Sequence, residues 1–209
     1  MLKVPVKIIN LILIRKIIFT YFLIFKNLKT TIMKKTITIF GSSLPRSSDK
    51  EYETAYKLGG LLAKKGFNVC TGGYQGIMDA VSKGAAENGG EAIGVTVDLW
   101  GVTPSRYLTK EIKCKTLFER ITKLVELGDA YVILQGGTGT LLELSVVWEL
   151  MNKNLLKIKP VVCHSKMWEE IVGIMEKQIE HEGRKNGLIK CADSVEIIIE
   201  YLNRVLNKQ

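Results

Sequence analysis

From Met33 onward, short β-branched runs alternate with stretches in which apolar residues recur every three or four positions. A period of two or an unbroken apolar run marks a strand, and a period near 3.6 marks a helix with one buried face. Thr36-Ile37-Thr38-Ile39-Phe40 is the first predicted strand, followed by Gly41-Ser42-Ser43. Ser48-Asp49-Lys50-Glu51 has capping-box spacing ahead of a helix with Ala55, Leu58 and Leu62 on one side and Gly66 as its stop. Phe67–Cys70 predicts a second strand. The next helix aligns Ile77, Ala80, Val81, Gly84 and Ala85, and these small side chains predict close packing on a sheet. Further strands are expected at Glu91–Val97, around Glu111–Cys114, at Ala130–Leu134 and at Pro160–Cys163. A helix whose apolar side is Leu117, Ile121, Leu124 and Val125 precedes Ala130, and another follows Thr140. Two last helices, near 166–181 and 194–206, close the pattern. Strands in regular alternation with helices predict an α/β domain, a single doubly wound parallel sheet covered on both faces.

Residues 1–32 follow a different rule. They are mostly Ile, Leu, Val, Phe and Lys, and their longest uncharged run, Ile17 to Phe25, is well short of the ~20 residues that span a bilayer. Met33-Lys34-Lys35 is expected to open the domain, which then occupies 33–209, with 1–32 an extension outside the fold. A basic amphipathic helix lying on a membrane surface is the alternative, and the one route to membrane contact. This segment also explains the charge. Six of the 30 bases and none of the 21 acids fall within it, which leaves 24 against 21 and a net +3 beyond residue 32. A near-neutral body does not carry the basic footprint of a nucleic-acid binder, so no nucleic-acid partner is expected. Cys70, Cys114, Cys163 and Cys191 show no C-x-x-C spacing and are expected to be buried, reduced thiols of a cytoplasmic protein. Two histidines, His164 and His181, are too few for a zinc enzyme, and no metal site is expected.

Candidate chemistry gathers in three loops that leave strands at one edge: Gly41-Ser42-Ser43, Gly72-Gly73-Tyr74-Gln75-Gly76 and Gly136-Gly137-Thr138-Gly139-Thr140. In an open parallel sheet the ligand crevice lies beyond the carboxyl ends of the strands. Glycine lets backbone approach an anion closely, and a helix N-terminus behind it adds favourable partial charge. Neither G-x-G-x-x-G after the first strand nor G-x-x-x-x-G-K-[ST] is present, which argues against NAD and nucleoside triphosphate chemistry. Glu143 lies one turn beyond the third loop on a helix apolar on both sides. Thr140-x-x-Glu143 is itself a capping-box spacing, so the carboxylate serves either the helix end or a bound sugar. Arg120 flanks the apolar side of its helix, either extending to water or turning its paired donors towards phosphate or ribose.

Gly136-Gly137-Thr138-Gly139-Thr140-Leu141-Leu142-Glu143 resembles the P-G-G-x-G-T-x-x-E motif of the Lonely Guy (LOG) family, often labelled "lysine decarboxylase-like". Phe118-Glu119-Arg120 resembles its upstream arginine segment, Thr71-Gly72-Gly73-Tyr74-Gln75-Gly76-Ile77-Met78 its G-G-G-x-x-G-L-M turn, and Phe40-Gly41-Ser42-Ser43 its first-strand loop. Gln135 stands where the family has proline, Ile121 where it has lysine, and Leu142 where a second acid is usual. The resemblance implies a Rossmann-like homodimer with its site near the subunit interface. It also implies hydrolysis of the N-glycosidic bond of a nucleoside 5′-monophosphate, of the AMP or cytokinin-riboside type, without metal or organic cofactor. Arg120 and Glu143 would be catalytic. Gly41, Ser42, Ser43, Gly72, Gly73, Gly76, Met78, Gly136, Gly137, Thr138, Gly139 and Thr140 would bind substrate. The alternative is a nucleotide or molybdenum-cofactor carrier on the same fold, which binds without cleaving.

Overall fold

The computed structural model describes residues 34–98 and 101–207. The extension expected at 1–32 lies outside the described residues. Strands β1 (Thr36–Phe40), β2 (Asn68–Thr71), β3 (Ala92–Val97), β4 (Lys110–Cys114), β5 (Ala130–Ile133), β6 (Val161–His164) and β7 (Ile189–Ala192) form one sheet in the order β4-β3-β2-β1-β5-β6-β7. Every neighbouring pair is parallel. Helices α1 (Lys50–Lys64), α2 (Ile77–Glu87), α3 (Leu117–Leu127), α4 (Thr138–Asn152), α5 (Lys166–His181) and α6 (Val195–Leu206) connect them and close the domain. No helix among the described residues is long and apolar enough to cross a membrane.

Two cores follow from the alternation of side chains along each strand. Ile37 and Ile39 face α1, α2 and α6, meeting Leu58, Leu62, Val81, Ile198 and Leu202. Phe40, Tyr131 and Ile133 face α3, α4 and α5, meeting Leu124, Leu144, Val147 and Trp168. The sheet is therefore doubly wound, three helices to a face, as the alternation predicts. Because β1–β4 extend one way and β5–β7 the other, the chain reverses direction between β1 and β5. The loops after these two strands splay apart there and leave a crevice.

Three expectations are corrected. The chain has a seventh strand where only loop and helix were predicted after β6. β7 reads Ile-Lys-Cys-Ala, with Lys190 and Cys191 exposed, so it presents no apolar run. Exposure of Cys191 also departs from the expectation that all four thiols are buried. Ser48 does not cap α1. Asp49 is its N-cap residue without a side-chain cap bond, and its carboxylate instead accepts from the Arg46 N–H at 2.8 Å. Small residues of α2 bring it close to α1 as well as to the sheet. A methyl group on Gly84 would overlap the Tyr56 carbonyl, and one on Gly59 the Val81 carbonyl. Leu58 is buried at that crossing, and Leu58→Ala should cost about 2–5 kcal/mol by urea unfolding.

Candidate functional site at the strand reversal

The crevice is braced by backbone. Ser42 N–H donates to the Gln135 carbonyl at 3.0 Å, and Ile77 N–H donates to the Ser42 carbonyl at 2.8 Å. The β1 loop is thus tied to both glycine-rich loops. Ser42 Oγ turns back on its own loop and accepts from Leu44 N–H at 3.1 Å. Gly76 has φ +68°, and a methyl group there would overlap the Ser42–Ser43 backbone. Both conformation and space therefore require glycine at this crossing.

Helix α4 begins at Thr138 with Gly137 as its cap residue and no side-chain cap bond. Its first backbone bond runs from Leu141 N–H to the Gly137 carbonyl at 3.0 Å. The N–H groups of Thr138, Gly139 and Thr140 precede that bond, so no turn of the helix supplies their acceptors. Together with the helix dipole they make this end a place for an anion. Thr140 is the third residue of the helix, so Thr140 and Glu143 do not form the capping box that their spacing allows.

Arg120 is placed by the opposite helix. Thr116 caps α3 by accepting from Glu119 N–H at 3.1 Å, while the Glu119 carboxylate accepts from Lys115 N–H at 2.8 Å. These two bonds set the phase of the first turn, and Arg120 then points inward rather than to water. Its Nε donates to the Val95 carbonyl at 2.8 Å, its Nη2 lies 4.0 Å from Met78 Sδ, and its guanidinium lies 5.8 Å from the centre of the Tyr74 ring. Tyr74 is held in turn by a hydroxyl that donates to the Val97 carbonyl and accepts from Val97 N–H at 2.8 Å. Nη1 of Arg120 lies 3.6 Å from Oε1 of Glu143, with side chains only 8% and 13% exposed. Burial pushes the Glu143 carboxyl up to about 7, and the nearby guanidinium opposes that rise without cancelling it. A carboxyl tuned to this range exchanges a proton readily near neutrality.

Arg120 and Glu143 form part of the wall of a cavity of about 550 Å³ that is also lined by Gly41, Ser42, Ser43, Met78, Gly137, Thr138, Gly139 and Thr140. Gly72, Gly73 and Gly136 do not line it: Gly72 packs against Arg120, Gly136 against Thr140 and Gly73 against β3, while Gly76 opens onto an adjoining cavity. Gly72 makes room, since a methyl group there would overlap Nη2 of Arg120 and crowd Met78 Sδ. Tyr74, Leu44 and Val102 also line the cavity and were not expected from the sequence. For Tyr74 the available signal was a large aromatic within an otherwise small-residue turn. Among the described residues no group of three His, Cys, Asp or Glu side chains is placed to hold a metal ion.

Comparisons with known proteins converge on this architecture. A family model described as the SLOG cluster4 family matches residues 34–198. A protein of Rhodococcoides fascians named cytokinin riboside 5′-monophosphate phosphoribohydrolase is 28% identical over 110 residues, which span 51% of this chain and 56% of that protein's length. The solved structure of the molybdenum cofactor binding protein from Rippkaea orientalis superposes with a TM-score of 0.68 at 24% identity, covering 84% of this chain and 99% of the other. That of the molybdenum cofactor carrier protein from Chlamydomonas reinhardtii gives 0.67 at 23%, covering 83% and 99%. At these identities the two structures attest the fold.

Gly72→Ala should displace the Arg120 guanidinium and cost about 1–3 kcal/mol in urea unfolding. The cost should shrink when Arg120→Ala is already present, and a double-mutant cycle measures that coupling.

Proposed function

The chain belongs to the SLOG cluster4 family, and from that premise we propose that it hydrolyses the N-glycosidic bond of a nucleoside 5′-monophosphate to free base and ribose 5-phosphate. The observation that carries this reading is the buried Arg120–Glu143 pair, 3.6 Å apart, in the wall of the cavity onto which the first turn of α4 opens. The relative from Rhodococcoides fascians, named for that reaction, supports it.

In the proposed mechanism the 5′-phosphate rests against the N–H groups of residues 138–140 and the Thr140 hydroxyl, with the Ser42–Ser43 loop opposite. Loss of the base leaves positive charge on the anomeric carbon, an oxocarbenium-like state. Ionised Glu143 stabilises that charge and takes a proton from the attacking water. The water oxygen bonds to the anomeric carbon, and the electron pair of the broken C–N bond leaves with the base, which gains a proton from solvent. Arg120 holds Glu143 and the ribose hydroxyls in register, a task suited to its fixed fork of donors. A homodimer belongs to the same reading. Phe118, Leu141 and Leu142, exposed on the helical turns that carry Arg120 and Glu143, supply apolar surface for a second copy.

Incubation with AMP and with an N6-substituted AMP should release free base. Glu143→Gln and Arg120→Ala should each lower turnover by about 10²–10⁴-fold. Because the deprotonated carboxylate acts, kcat/KM of the parent should rise as pH passes through about 7, and the residual rate of Glu143→Gln should lack that step. Unchanged turnover in either variant would overturn the assignment. A rise in melting temperature with nucleotide but no free base would replace it with the carrier reading.

A further inference from the structure

A second cavity, of about 690 Å³, adjoins the first and shares Ser43 and Leu44 with it. Its walls come from the loop before α1, from α1 and α2, and from the β3–β4 loop, and hydrogen bonds lock them together. Tyr52 of α1 donates to Oδ2 of Asp79 at 2.5 Å, and Ser105 donates to Oδ1 of the same carboxylate at 2.6 Å. Ser105 N–H also donates to the Gly73 carbonyl at 2.8 Å, and Gln75 Nε2 donates to the Thr103 carbonyl at 3.2 Å. The shape therefore exists before any ligand arrives.

Its charge is one-sided. Arg46, Lys83 and Arg106 line it, and among the described residues none of the three has an ion pair. Asp79, the only acid in the lining, already accepts on both oxygens. Lys83 and Arg106 both lie near the ring of Tyr107, and Lys83 lies as near to that of Tyr56, 5.5 Å from its centre. The ammonium lies 5.7 Å and the guanidinium 4.9 Å from the centre of Tyr107, whose hydroxyl is 2.7 Å from Arg106 Nη2. Two cations held near one ring are both within reach of an anion placed between them, which would offset their mutual repulsion. A planar guanidinium fork beside a compact ammonium matches a tetrahedral oxyanion, the fork engaging two oxygens and the ammonium a third.

We propose that this compartment is a second anion subsite, separate from the start of α4, that takes a phosphoryl group. That group is either the far phosphate of a ligand lodged in the first cavity or a small phosphorylated effector. The inference stands on binding and does not depend on the hydrolytic reading.

Calorimetric titration of the full chain with inorganic phosphate, alone and after saturation with AMP, tests it against the Lys83→Ala/Arg106→Ala variant, with Glu143→Gln present in both so that AMP is not turned over during the measurement. The AMP-saturated parent should still bind one phosphate. The variant should bind that phosphate at least about tenfold more weakly, with AMP affinity within about twofold of the parent. Arg106 is exposed, so Arg106→Ala alone serves should the double variant prove unstable. Adenosine 3′,5′-bisphosphate separates the two sources. Binding about tenfold tighter than AMP, with the gain lost in the variant, identifies the far phosphate of one ligand. Binding equal to AMP, with inorganic phosphate still bound alongside, identifies a separate effector. No phosphate bound to the saturated parent, or equal binding by parent and variant, would overturn the subsite. If AMP itself does not bind, the nucleotide reading of the first cavity fails, while phosphate titration of parent against variant still decides the second.

Discussion

A guanidinium withdrawn from water is the constraint around which the crevice is organised. An arginine with so little solvent must find its hydrogen bonds and counter-charge inside the protein, because an unpaired buried cation is prohibitively costly. Each neighbour of Arg120 answers part of that demand. Val95 offers a carbonyl from β3, Glu143 a carboxylate from α4, Tyr74 the face of its ring, and Gly72 the absence of a side chain. The same contacts join α3 to β3 and the loop after β2 on one side of the reversal and to α4 on the other, so charge and architecture are settled together. Glu143 is thereby caught between opposing influences. Burial favours its neutral form more strongly than Arg120 favours its charged form, and the carboxyl settles near neutrality because the guanidinium offsets only part of that rise.

Glycines of the three loops divide into two kinds. Gly137 and Gly139 border the cavity with no atoms near where a side chain would stand, and there the backbone is left bare for whatever enters. Gly41, Gly72, Gly73, Gly76 and Gly136 would all collide with protein. They admit Ile77, Arg120, the β3 strand, the β1 loop and the Thr140 side chain. One sequence feature, a run of glycine, thus stands for two physical requirements, and only the second is visible as crowding.

The α/β architecture was legible because its strands are runs such as Ala130–Leu134 and its helices carry regular apolar stripes. β7 was not, since an edge strand half open to solvent needs few apolar residues. The meeting of Arg120 and Glu143 was legible only as two anomalies on separate helices. Nothing local in the sequence says that α3 is phased by Thr116 and Glu119 so that Arg120 turns inward. Thr140-x-x-Glu143 misled for a related reason: the helix starts three residues earlier than a capping box needs, and spacing alone does not locate its first turn. The second cavity escaped notice because its cations, Arg46, Lys83 and Arg106, come from three distant segments, and Asp79, which joins them, lies one residue beyond the glycine-turn motif that ends at Met78.

The outermost strands carry a consequence of their own. An unpaired strand edge offers its backbone to any extended peptide, the usual route to amyloid-like stacking. Here β4 ends one side of the sheet with Lys110, Glu111 and Lys113 exposed, and β7 ends the other with Lys190. A passing strand would have to bury or approach these charges to add an eighth member. The polarity that hides β7 from a search for apolar runs is therefore also its protection, a fender of lysine that keeps the sheet at seven.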